Sequence, residues 1–163
     1  MGMKHALNED AVIASRGFFA VFQDICKKGY YNDESSLTVP NFDTAIFSFP
    51  YIVNGAFACE LALKSALSIE VAKTIRHDLF SLFYNIHDDY QTAIKNHASS
   101  RGLDEKSFDV ALEQSKNLFY DWRYFYERDK VNIPSNFDII VQSICITMFG
   151  FSHSFHGIDV PDR

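Results

Sequence analysis

From Leu7 onward, apolar residues return at alternating steps of four and three: Leu7, Ala11, Ala14, Phe18, Val21 and Ile25. That spacing draws one stripe along an α-helix and cannot place side chains on one face of a strand. The stripe predicts a first helix from about Asn8, a possible N-cap, to Lys28, with Gly29 able to end it in a left-handed C-cap. The same period governs Phe108, Ala111, Leu112, Ser115, Phe119, Trp122 and Tyr126, which predict one long helix ending before Pro134. Leu79 to Ile86 and Asp88 to His97 read as two short helices. The run from Tyr51 to Leu67 reads as another, with Pro50 suited to a first turn and NFDTAIFSF either a separate short helix or a kinked lead-in.

The segment from about Asn136 to Phe149 carries apolar residues on nearly every face, which predicts a central helix or one paired with another chain. Its greasy stretch, Phe137 to Phe151, contains Asp138, Gln142 and Ser143 and falls short of the ~18 uninterrupted apolar residues of a membrane span. Sustained period-two alternation is missing throughout, as are internal repeats. The expected fold is therefore all-α: one domain over 1–163, about five helices in an antiparallel bundle, with 152–163 as a flexible tail.

At 163 residues the chain can bury roughly 70% of its unfolded surface in a single core. With 16 Phe and 8 Tyr there is aromatic side chain to spare, so a pairing surface is expected as well. A net charge of −6 with interspersed signs gives no basic stripe for a phosphate backbone, so DNA is not an expected partner. Cys26, Cys59 and Cys145 stand far apart among apolar residues, fitting reduced core thiols and a cytoplasmic protein. MGMKHALNED lacks a signal-peptide apolar region, and Ala6 departs from the myristoylation pattern.

Several polar residues sit oddly on apolar helices. In AFACELALKSAL, Glu60 and Lys64 are one turn apart; they read either as a solvent-facing pair or as part of a polar cluster between helices. In DWRYFYERD, Arg123 precedes Glu127 by one turn inside an aromatic belt, the weaker order for an isolated pair, which points to partners on other helices. A bidentate Glu60–Arg123 pair is one possibility, and Arg123 stacked on its aromatic neighbours is the other. Asp78 in RHDLFSLF suits a helix cap, and His77 beside it could join the cluster or simply precede the helix. His153 and His156 have a spacing compatible with metal ligation, a weak signal, and with Gly157 and Pro161 nearby a frayed tail is the commoner explanation. Phosphate loops, nucleophile elbows and H-E-x-x-H are absent, and no cofactor is implied.

NGAFACELALKSAL, RHDLFSLFYNI and FYDWRYFYE, in that order, resemble the HEPN-domain family over about residues 42 to 150. The resemblance implies a four- or five-helix antiparallel bundle that homodimerises, with a polar cluster of Glu60, Lys64, His77, Asp78, Arg123, Tyr124 and Glu127. It also implies links to RNA, nucleotide or protein partners in toxin-antitoxin or defence systems. The family's ribonucleases carry an Arg followed, after four to six residues, by His. Here those positions after Arg123 hold Arg128, Asp129 and Lys130, and no other Arg has a His at that distance. Neither Arg nor Lys exchanges a proton near neutral pH. The expectation is a non-catalytic binding or assembly module; a divergent ribonuclease using His77 and Arg123, and a purely structural dimerisation domain, are the alternatives.

Overall fold

A computed structural model describes residues 6–27, 42–123 and 133–152, with backbone alone for 42–47 and Arg123. Eight helical segments follow one another there: α1 (Glu9–Lys27), α2 (Phe42–Lys64), α3 (Ile69–Thr74), α4 (Leu79–Asn85), α5 (Asp88–Ser100), α6 (Glu105–Ser115), α7 (Leu118–Arg123) and α8 (Phe137–Phe151). No strand occurs among the described residues, so the chain is all-α. No described helix is long and apolar enough to cross a membrane.

Helix α2 is the centre, packed along its length against α1 and also touching α4, α7 and α8. It runs unbroken from Phe42 through Pro50, so FDTAIFSF and the segment after it are one helix, while Asn41 lies outside the described residues. Asn54 donates its side-chain N–H to the Pro50 carbonyl at 2.6 Å, in the turn that follows the proline. Gly55 lies where three helices meet, since a Cβ there would stand 2.9 Å from Phe22 and 3.1 Å from Phe137. Around that crossing the rings interlock: Phe22 stacks on Tyr51 at 4.8 Å, and Phe137 meets Tyr51 edge-on at 5.8 Å.

In α1 the buried face is turned from the expected stripe. Val12, Ser15, Phe19, Phe22 and Ile25 are buried, whereas Ala14 and Val21 are exposed. Two apolar stripes lie side by side on this helix, and the one bearing more phenylalanine is covered. Ser15 is tolerated on it because its hydroxyl donates to the Ala58 carbonyl at 2.7 Å, satisfying both groups in the dry interface.

The expected long helix over 108–126 divides into α6 and α7 around Lys116 and Asn117. The carbonyl of Lys116, released at that break, accepts the Leu79 N–H at 3.1 Å and ties the start of α4 to the end of α6. Helix α5 ends at Ser100, and two residues on Gly102, with a φ of +90°, lets the Leu103 N–H reach back to the Ala98 carbonyl at 3.0 Å. Helix α8 is buried on most sides, from Phe137 to Phe149, as its all-round apolar sequence requires. After α8, Ser152 is buried and donates to Glu9 at 2.6 Å, so the anticipated tail is docked at its first residue; 153–163 lie outside the described residues.

Candidate functional site

Within the apolar run of α2, Glu60 is buried, with 3% of its side chain exposed. A carboxylate so placed needs charged or hydrogen-bonding partners to offset lost hydration. It has two. Lys64, one turn on, donates Nζ–H to Oε1 at 2.7 Å, and Nδ1 of His77 lies 2.8 Å from Oε2. The geometry of this contact suits the tautomer that carries its proton on Nδ1, with the carboxylate oxygen accepting. Lys64 retains 21% side-chain exposure and His77 37%, which makes the cluster a half-open one: its acid is sealed and its bases reach solvent.

Local structure positions His77 from two sides. Asp78, the next residue, caps α4 by accepting from the Ser81 N–H at 2.9 Å and the Ser81 hydroxyl at 2.8 Å, which fixes the backbone just after the imidazole. The ring then rests on Phe119 of α7 at 4.8 Å between centroids, and Phe119 stacks in turn on Phe57 of α2 at 5.0 Å. Phe18 of α1 meets Phe57 edge-on at 4.5 Å. Three helices thus build the platform that holds the histidine against Glu60.

The cluster opens on a cleft of about 410 Å³ walled by Lys64, Lys73, Arg76 and His77, with Leu61, Leu67, Ile69, Ala72 and Ala11 as its apolar surface and Asn8 at its edge. Helix α3, which no apolar period in the sequence signals, forms one side. Ser68 accepts from the Val71 N–H at its start, at 3.4 Å. Lys73 and Arg76, neither of which stands out in the sequence, are exposed on this wall.

The other expected site residues divide. Of the Glu60–Arg123 pair, only Glu60 is described at side-chain level, and its two oxygens hold Lys64 and His77. Arg123 is the last described residue of α7, one turn beyond Phe119. Tyr124, Glu127, His153 and His156 lie outside the described residues. Among the described residues, no three of His, Cys, Asp and Glu gather as metal ligands.

Polar chemistry elsewhere is local. Lys95 bridges Glu105 at 2.8 Å and Asp109 at 3.1 Å, and although burial works to lower its pKa, these carboxylates hold it above the ordinary value. His97 stands 3.2 Å from the buried Ser143 hydroxyl; burial, aided by Arg101, lowers its pKa. Burial pushes the Cys26 thiol up to about 11, with Asp138 adding to the effect, and raises Cys59 well above its usual range, with Cys145 as its neighbour.

Comparison with known proteins gives no match: no family model, no curated protein and no solved structure aligns with this chain.

Proposed function

We propose that the chain is a HEPN-like binding and assembly module, homodimeric and without ribonuclease chemistry, whose recognition groove is the cleft beside Glu60, Lys64 and His77. The observation that carries this reading is the half-open cluster: a buried acid holds a lysine and a histidine at the edge of a cleft rather than inside a closed core. Lys64 and His77 satisfy the buried carboxylate and at the same time line the cleft, and a ligand site needs a few fixed polar groups of this kind beside apolar surface. The absence of His at the family's spacing after Arg123 supports binding over catalysis.

Assembly is expected to use helix faces that α1 leaves exposed, where Ile13 and Val21 stand in solvent on either side of Gly17. Light scattering at tens of micromolar tests it. The reading predicts the mass of two 18.7 kDa chains, and a single-chain mass contradicts the dimer.

One observation favours a second reading, a divergent ribonuclease. His77 rests on Phe119, one helical turn before Arg123, so the only histidine of the cluster lies beside the helix that carries the arginine. Incubating mixed RNAs with the wild type, Arg123→Ala and His77→Ala separates the two. Unchanged RNA supports the binding module; shortening by wild type that both variants abolish supports the ribonuclease.

A further inference from the structure

The cleft has an electrostatic character that the chain as a whole lacks. The protein carries a net charge of −6, yet the cleft wall holds Lys64, Lys73, Arg76 and His77 and, among the described residues, no carboxylate. Lys64 is balanced by Glu60. Lys73 and Arg76 have no ion pair or hydrogen-bonded acid among the described residues, which leaves two cations uncompensated on one wall. Two unpaired cations beside a concave surface call for a compact dianion, and a guanidinium matches two oxygens of a phosphate in a fork.

The rest of the lining restricts what the dianion can be attached to. Leu61, Leu67, Ile69, Ala72 and Ala11 are aliphatic, and among the described residues no Phe, Tyr or Trp lines the cleft to stack on a planar ring. A volume of about 410 Å³ suits a small molecule rather than a polymer. Resting on the binding-module reading, we infer that the cleft takes a small phosphate monoester with an aliphatic body. Arg76 and Lys73 hold the phosphate, Lys64 and His77 are fixed by Glu60 at its flank, and the leucine and isoleucine side chains cover the carbon chain.

Calorimetric titration with hexyl phosphate, inorganic phosphate, hexanol and adenosine 5′-monophosphate tests the assignment. Hexyl phosphate should bind saturably, inorganic phosphate at least tenfold more weakly and hexanol not at all; raising the salt concentration should weaken the binding of both phosphates, since the pair of cations is exposed. The double variant Lys73→Ala/Arg76→Ala should lose at least tenfold in affinity with an unchanged melting temperature, because both side chains project from the surface.

No saturable heat from hexyl phosphate at millimolar concentration overturns the inference, as does binding that survives the double substitution. Tighter binding of adenosine monophosphate than of hexyl phosphate overturns the aliphatic assignment. Sedimentation with phosphatidic acid vesicles distinguishes a lipid headgroup: capture by vesicles without binding of soluble hexyl phosphate contradicts a small-molecule site. Failure of every phosphate probe leaves the dimer and the RNA result intact, so it is distinguishable from failure of the binding-module reading.

Discussion

Nδ1 of His77 lies 2.8 Å from Oε2 of Glu60, joining residues seventeen positions apart across the turn that carries α3. Because Glu60 is sealed in α2 and His77 reaches solvent, this contact connects the interior to the cleft. It also makes Glu60 the member on which the arrangement depends: it is the common partner of both bases.

Glu60→Gln should therefore destabilise the fold. The amide is nearly isosteric but puts a neutral group at the sealed position, where it removes the charge that holds both Lys64 and His77, costing about 1–3 kcal/mol. Lys64→Met should cost less, since Lys64 is already partly hydrated and its aliphatic stem is preserved. Urea unfolding midpoints check the order; equal midpoints for wild type and Glu60→Gln would show that the carboxylate is not held as described.

Gly55→Ala opposes two effects of different size. Alanine favours the helix by ~1 kcal/mol over glycine. The added methyl, however, would stand 2.9 Å from Phe22 and 3.1 Å from Phe137, two buried rings locked in the aromatic crossing. Overpacking of this kind costs about 1–3 kcal/mol, so a lowered unfolding midpoint is expected, and a raised one would mean the three helices have room to part.

His97 predicts a pH dependence. Its folded pKa lies below the ordinary 6.5 because burial penalises the imidazolium and Arg101 repels it. The unfolded chain thus binds more protons between the two values, and stability rises with pH there. The contribution is intact above about 6.5 and is lost as pH falls through the window beneath it. His97→Gln should flatten that part of a stability–pH profile, and an unchanged slope would remove the assignment.

The thiols should be inert until the protein opens. With Cys26 at about 11 against an ordinary 9.0, its thiolate fraction at pH 8 falls about 100-fold. Cys59 and Cys145 are fully buried. Iodoacetamide should label all three at least tenfold more slowly in buffer than in denaturant, and rapid native labelling of Cys59 would contradict its burial.

Much of the fold was legible because period and capping are local. The apolar run of α8 and the suitability of Asp78 as a cap are written in neighbouring residues. The exposed side of α1 was not legible, since its two adjacent apolar stripes are equally helical and only contact with α2 and α8 selects Phe19 and Phe22. Helix α3 escaped because its six residues carry no buried side chain, so no period exists to find. Ser68 followed by Glu70 was its one local signal, a cap before an acidic first turn. Glu60, Lys64 and His77 were recognisable as polar residues in apolar company. Lys73 and Arg76 were not, because a surface cation becomes informative only when the fold sets it opposite others.

The central claim is that the Glu60–His77 contact borders a site for a small phosphate monoester, and the imidazole itself can report on it. Long-range proton–nitrogen spectra of the histidines, recorded during a hexyl phosphate titration, test it directly. The account predicts a saturable shift of the His77 ring signals, unchanged His97 signals on the far side of α8, and a probe recovered intact. His77 signals that stay fixed while the probe is carried to millimolar excess would contradict it.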